Sequence, residues 1–309
     1  MSTGTPGQGG FSRLQMRPMS LREAGRSSGE ISLNRLFENE TQGCADPGLT
    51  IRDIIDAIAV GGWPGNLGAS VEDACQNNRD YLAEAREVDV KAVTGTSRAP
   101  TRLGRLLESL ARNTATEVKI AGLARETSGG GDDKLARSTI YDYLDALERL
   151  MLIEDVPAWS PHLRSRARIR QEPKRHFVDP SLAVAALGVS PSQLLADLNY
   201  VGFLFESLVV RDLRVLSSPL GGEVHHYRDS NQVEVDGILE LPDGRWGAVE
   251  VKLGPERIDS AAASLLRFVG NIDTVRTPSP SFLAVITNAS YGYRRPDGVH
   301  VIPIGALGP

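Results

Sequence analysis

The stretch VEVDGILELPDGRWGAVEVK, residues 233–252, decides the fold of the last third of the chain. Two apolar runs that alternate with a period of two flank residues 242–244 (PDG), which are a strong turn signal. The runs therefore predict two antiparallel strands joined by a tight turn. In that pairing Asp236 lies beside Glu250, and alternation puts Glu250 and Lys252 on the same face of the second strand.

The segments around this hairpin predict a small α/β unit. A helix over residues 199–216 precedes it, followed by a first strand at 223–228. A second helix at 258–270 and strands at 282–287 and 300–303 come after it. This α-β-β-β-α-β order predicts a mixed sheet flanked by helices.

Asp236, Glu250 and Lys252 are the candidate catalytic residues of this unit. Carboxylates at the end of a sheet can bind a hard divalent cation such as Mg²⁺, and a neighbouring lysine can hold an attacking water or offset charge on a phosphate. Glu206 is predicted to complete a metal-ligand set with Asp236 and Glu250, because a carboxylate in an apolar helix is costly without a cation or several donors. The alternative is an ordinary cross-strand ion pair, which needs no metal.

The earlier residues predict an irregular start and two helical units. Residues 1–48 carry little periodicity, and residues 49–100 predict a small all-helical unit that begins at the N-cap candidate Thr50. In residues 101–180, three helices precede two short strands with a long basic tip, which is the order of a winged helix-turn-helix. With residues 181–309 as the α/β unit, the predicted fold class is α+β.

The basic tip supplies the candidate nucleic-acid-binding residues. They are Arg164, Arg166, Arg168, Arg170, Lys174 and Arg175. Alternating arginines on a wing suit phosphate contacts in a groove. The alternative is a solvated loop that pairs with the acidic remainder of the chain. The third helix of this unit carries mixed charge, which favours a protein contact at least as strongly as base readout.

Composition limits the class of protein. The 309 residues are 41% hydrophobic and 24% charged, and the formal net charge of −5 argues against a protein that coats nucleic acid with its whole surface. No apolar run approaches the roughly 20 residues that span a bilayer. Cys44 and Cys75 show no CxxC spacing, so we expect a cytoplasmic, non-membrane protein with reduced thiols.

Six motifs, in this order, resemble bacterial and archaeal AAA-type ATPases that end in the domain of unknown function called DUF4143. They are FSRLQMRPMSL (11–21), GGWPG (61–65), STIYDYLDALERLMLIED (138–155), KRHFVDPSLA (174–183), GFLFESLVVRDLR (202–214) and the stretch at 233–252. The resemblance runs from about residue 11 to the end of the chain. It implies the end of an ATPase core with its helical lid, a winged helix, and a domain similar to restriction-endonuclease folds.

In such nuclease folds a helix Glu, a strand Asp and an E-x-K pair form the metal site. The resemblance assigns those roles to Glu206, Asp236, Glu250 and Lys252 here. Many DUF4143 members are not known to cut anything, so this assignment implies shape more than activity.

The phosphate-binding loop of those ATPases, G-x-x-x-x-G-K-[ST], is not found in the sequence. Residues 4–10 are rich in glycine but have no lysine, and residues 129–134 have the wrong spacing. We therefore expect no ATP site, no cofactor-binding residues and no ATP hydrolysis by this chain, which would be a truncated relative, a mis-called start or a naturally split protein.

The predicted function is that of a nucleic-acid-associated protein, with DNA as partner and a candidate Mg²⁺-dependent phosphodiesterase site. The alternative is a non-catalytic DNA- or protein-interaction module that partners an intact P-loop ATPase or a second copy of itself. A third interpretation is a truncated product with no independent role.

Overall fold

The computed structural model describes residues 15–89, 100–128, 135–161, 172–229, 233–273 and 275–309, and within them the fold is α+β, as predicted. The helices are α1 (Leu33–Phe37), α2 (Ile51–Val60), α3 (Val71–Glu84), α4 (Pro100–Arg112), α5 (Ile120–Ser128), α6 (Arg137–Arg149), α7 (Pro180–Leu187), α8 (Pro191–Ala196), α9 (Leu198–Ser217) and α10 (Ile258–Gly270). The strands are β1 (Ile31–Ser32), β2 (Glu223–Arg228), β3 (Glu234–Glu240), β4 (Trp246–Lys252), β5 (Phe282–Thr287), β6 (Tyr293–Arg294), β7 (His300–Pro303) and β8 (Leu307–Gly308).

The central sheet has the order β2-β3-β4-β5-β7-β6 within the described residues. β2, β3 and β4 form an antiparallel meander, β4 and β5 are parallel, as are β5 and β7, and β6 is antiparallel to β7. This is the mixed sheet that the sequence predicts. The register of β3 and β4 pairs Gly237 with Val249, so one residue further along Asp236 falls level with Glu250.

Helices cover both faces of this sheet. Val249 and Val251 of β4 belong to the same apolar core as Leu204 and Leu208 of α9. On the opposite face, Ala248 belongs to a second core with Leu265 and Phe268 of α10. Alternate residues of β4 therefore contribute apolar side chains to the two faces of the sheet. The last residues of β4 lie at the rim of the sheet.

The helices from α2 to α8 form one packed unit. α7 packs against α2, α3 and α4, so the predicted lid helices and the predicted winged-helix unit share a core. Antiparallel bridges between Ile153 and Phe177 and between Val156 and Lys174 form the base of the predicted hairpin. Its tip, with Arg164, Arg166, Arg168 and Arg170, lies outside the described residues, as do the two glycine-rich stretches at 4–10 and 129–134.

A buried ion-pair network joins this helical unit to the sheet domain. Arg211 of α9 donates from Nη1 to Asp179 Oδ2 at 2.8 Å and from Nη2 to Asp212 Oδ1 at 2.7 Å. The second oxygen of Asp212 accepts from the backbone N–H of Leu21 at 2.9 Å, and Asp179 Oδ2 also accepts from that of Gly62 at 2.9 Å. Four segments that are distant in sequence thus meet at one guanidinium group.

Gly62 is needed where the N-terminal segment crosses the loop after α2. The backbone N–H of Met19 donates to the Gly62 carbonyl at 2.7 Å. A Cβ atom on Gly62 would lie 2.2 Å from the Met19 carbonyl oxygen, which is far inside van der Waals contact. The loop motif at 61–65 therefore serves to dock the segment at 15–21.

None of the helices in the described part of the chain has both the length and the apolarity to cross a membrane.

We expect Arg211→Met to lower the free energy of unfolding by roughly 3–5 kcal/mol, because it leaves two buried carboxylates without their cation. Denaturant unfolding followed by circular dichroism measures this. The control is Arg112→Met, which removes an exposed arginine that pairs with Glu108 within α4, and it should change stability by less than about 1 kcal/mol. Equal effects of the two substitutions would contradict the role assigned to the network.

Candidate functional site: carboxylates and lysines at the rim of the sheet

The four residues predicted as a nuclease-like site come together in the structure. Glu206 lies midway along α9, Asp236 in β3, and Glu250 and Lys252 at the end of β4. Lys252 Nζ is 3.0 Å from Asp236 Oδ2 and 2.6 Å from Glu250 Oε2. The backbone N–H of Val251 also donates to Asp236 Oδ2 at 2.9 Å, which fixes that carboxylate against β4.

Lys174 lies at the centre of this site. Its Nζ is 2.7 Å from Glu206 Oε1, 3.1 Å from Glu234 Oε1 and 3.3 Å from Asp236 Oδ1. The residue is only 2% exposed. We call Lys174, Glu206, Glu234, Asp236, Glu250 and Lys252 the charge cluster.

The charge cluster contains four carboxyl groups and two ammonium groups, so its formal charge with all groups ionised is −2. Burial raises the pKa of Glu206 to about 7, against the opposing attraction of Lys174. Burial and the charge of Asp236 raise the pKa of Glu250 to about 8. Because these groups interact strongly, they titrate together, and the cluster retains protons near neutral pH that offset its excess negative charge.

Lys174 and Asp236 stay ionised. Burial alone would lower the pKa of Lys174, but the charges of Glu206, Asp236 and Glu234 outweigh burial and raise it. Burial alone would raise the pKa of Asp236, but the ammonium groups of Lys174 and Lys252 hold it below its ordinary value. Lys174 and Asp236 therefore form an ion pair at the centre of the charge cluster, with Nζ and Oδ1 3.3 Å apart.

This arrangement does not fit a divalent metal ion. Carboxylate oxygens are suitable ligands for Mg²⁺, and Glu206, Asp236 and Glu250 are close together. However, within the described residues no three carboxylate, imidazole or thiol groups are arranged to hold a metal. The ammonium of Lys174 stands between Glu206 and Asp236, where the predicted ligand set would need the ion.

Two adjoining clefts open onto the charge cluster. The first has a volume of about 610 Å³ and is lined by the six cluster residues together with Arg228 and Arg267. The second, of about 540 Å³, lies on the other side of Phe203, Glu206 and Lys252, which line both clefts. The arrangement presents charged groups to a ligand in an open groove rather than in a closed pocket.

Buried, neutral imidazoles lie beside Lys174. His176 Nδ1 is 2.8 Å from Ser207 Oγ, and burial together with the charge of Arg214 lowers its pKa well below the ordinary value. Burial and the charge of Lys174 lower the pKa of His226 to about 4. Neither histidine adds positive charge at neutral pH, so the positive charge within the charge cluster comes from Lys174 and Lys252.

The structure changes the interpretation of Lys174 and Arg175. Both were predicted to contact nucleic acid from the basic tip, but both are buried, and Arg175 forms an ion pair with Asp155. They lie at the base of the hairpin, where alternation turns Lys174 inward towards α9. The sequence analysis also missed Glu234, although Glu234 and Asp236 are two residues apart in one strand and alternation predicts a shared face.

The described part of the chain therefore defines a mixed α/β domain with a charged rim, joined to a helical unit. Residues 201–307 match the family described as "Domain of unknown function (DUF4143)", so the chain carries a DUF4143 domain. Residues 51–193 match the family described as "Domain of unknown function (DUF8612)", which spans both helical units predicted from the sequence. No curated protein and no solved structure significantly matches the chain. The resemblance to DUF4143 is thus confirmed for the sheet domain.

The pKa of Glu250 leads to a prediction about pH. An acid with a higher pKa in the folded state keeps its proton longer when folded, so the free energy of unfolding falls as pH rises between the two pKa values. For Glu250 that window runs from about 4.3, the ordinary value of a glutamic acid, to about 8. Glu250→Gln removes this group, and we expect its stability relative to the wild type to increase by roughly 1–3 kcal/mol between pH 5 and pH 8.

Denaturant unfolding at several pH values measures the difference. Glu256→Gln, at an exposed carboxylate on the turn before α10, is the matched control and should show no such trend. If the free energy of unfolding of Glu250→Gln changed with pH in the same way as that of the wild type between pH 5 and pH 8, this result would contradict the raised pKa of Glu250.

Proposed function

We propose that the chain is a nucleic-acid-associated protein whose DUF4143 domain is a restriction-endonuclease-like fold that binds its ligand without Mg²⁺-dependent cleavage. The α9-β2-β3-β4-α10-β5 order supports the fold assignment, because it is the α-β-β-β-α-β order predicted from the sequence for this unit. The convergence of Glu206, Asp236, Glu250 and Lys252 at one rim supports it further.

The position of Lys174 is the observation that carries the non-catalytic part of the proposal. Its ammonium contacts Glu206 at 2.7 Å and Asp236 at 3.3 Å, which are two of the three predicted metal ligands, and these contacts use oxygens that a catalytic metal would need. Without that metal, the domain has no strong Lewis acid to activate water or to stabilise a leaving oxygen. Binding is therefore the function that this geometry supports best.

Cations at the first cleft support nucleic acid as the ligand. Arg228 and Arg267 line this cleft together with Lys252, and Arg267 is an exposed side chain of α10. Arginine forms bidentate hydrogen bonds with phosphate, and such contacts position a nucleic-acid backbone. In this proposal the predicted winged helix and its arginine-rich tip form a second surface that contacts nucleic acid.

Mg²⁺-dependent phosphodiester cleavage is the second candidate function. The observation that favours it is the closeness of two carboxylates and a lysine at the end of β4, where Lys252 contacts both Asp236 and Glu250. A cleavage assay on labelled single- and double-stranded DNA and RNA with Mg²⁺ or Mn²⁺ separates the two candidates. If the wild type cleaves a substrate and Asp236→Asn does not, the function is Mg²⁺-dependent cleavage and not binding without cleavage.

We expect Arg267→Gln to weaken nucleic-acid binding by roughly three- to tenfold at moderate salt, because it removes one phosphate contact. Fluorescence anisotropy with labelled DNA and RNA measures the affinity, and the salt dependence should become less steep. The control is Arg35→Gln, at an exposed arginine of α1 that pairs with Glu40 and does not line the cleft. Equal affinities of the wild type and Arg267→Gln would contradict binding in this cleft, and no binding by the wild type would overturn the proposal.

Association with a separate P-loop ATPase also remains part of the proposal. It is supported by the motif order that the sequence shares with AAA-type ATPases that end in DUF4143. We expect the purified chain to hydrolyse no ATP, which a phosphate-release assay tests.

A further inference from the structure

We infer that Lys174 is a built-in cation that replaces a divalent metal ion at the rim of the sheet and closes this rim to metals in the folded protein. This inference rests on the charge geometry and not on nucleic-acid binding. A failed binding assay would therefore leave it intact.

The donors of Lys174 match the surrounding acceptors in number. An ammonium group has three N–H donors and no acceptor. Three carboxylate oxygens, one each from Glu206, Glu234 and Asp236, lie within 3.3 Å of Lys174 Nζ. The ammonium therefore donates hydrogen bonds to Glu206 and Asp236 and forms an ion pair with Glu234, three groups that would otherwise repel one another at this rim.

A divalent cation at the same place would meet strong repulsion. It would lie within a few ångströms of the ammonium groups of both Lys174 and Lys252, and like charges at such distances in a buried site cost several kcal/mol. Binding would therefore require Lys174 to leave the charge cluster. If Lys174 left, Lys252 would be the one lysine remaining in the charge cluster. Lys252 contacts Asp236 and Glu250, so Glu206 and Glu234 would lose their lysine contact.

The backbone around Lys174 opposes its departure. Lys174 and Val156 exchange both backbone hydrogen bonds, at 3.0 Å and 2.9 Å, so the residue is fixed in the base of the hairpin. The next residue, Arg175, is likewise bonded through its backbone N–H to the Thr116 carbonyl at 2.9 Å. The Lys174 side chain is itself nearly fully buried, although it lines the first cleft.

The test is a titration of the protein with Mn²⁺ alone. Binding is measured by isothermal titration calorimetry and by the loss of the electron paramagnetic resonance signal of free Mn²⁺. We expect the wild type to show no saturable binding that depends on Asp236. Lys174→Met should bind one Mn²⁺ per chain at least tenfold more tightly than the wild type, and the double variant with Asp236→Asn should lose this gain. Lys119→Met, at an exposed lysine, is the matched control and should behave as the wild type does.

Two results would overturn the inference. One is saturable Mn²⁺ binding by the wild type that Asp236→Asn abolishes. The other is a folded Lys174→Met variant that gains no affinity for Mn²⁺. If Lys174→Met does not fold by circular dichroism, Lys174→Gln takes its place, since an amide keeps two donors for the carboxylates, and the wild-type titration is decisive in either case.

Discussion

Charge balance at the buried rim of the sheet constrains the whole DUF4143 domain. Four carboxyl groups from α9, β3 and β4 meet there, and three of them, those of Glu206, Asp236 and Glu250, are buried, where uncompensated charge is costly. Two lysines and retained protons supply the balance, and one of those lysines comes from a segment outside the domain match at 201–307. The sheet domain is therefore electrostatically incomplete without the hairpin base that contributes Lys174.

The helical unit and the sheet domain are coupled by a second buried network. Arg211 lies on the same helix as Glu206, five residues further on, and holds Asp179 from the end of the hairpin. Lys174 and Asp179 belong to one short segment, so α9 is tied to that segment at both Glu206 and Arg211. This double attachment explains how a side chain from the helical unit reaches the rim with a fixed position.

Much of the sheet domain could be predicted from local pattern. The turn at 242–244 and period-two alternation predicted the β3–β4 hairpin and the pairing of Asp236 with Glu250, and the helix at 258–270 has the predicted bounds. The role of Lys174 could not be predicted, because it depends on a contact between residues 174 and 206 that no local periodicity encodes. Residues 164–175, which contain Lys174, also contain five arginines, and this composition favoured an exposed basic loop. The same limit applies to Arg211, whose partners Asp179 and Asp212 are set by tertiary packing.

A crystal structure determined at neutral pH from crystals soaked in Mn²⁺ tests the central claim most directly, because the anomalous signal locates the ion without ambiguity. We predict no anomalous peak among the carboxylates of Glu206, Asp236 and Glu250, with Lys174 Nζ in ion-pair contact with Glu206 and Asp236. A strong peak bound by those carboxylates, with the Lys174 side chain displaced, would contradict the account.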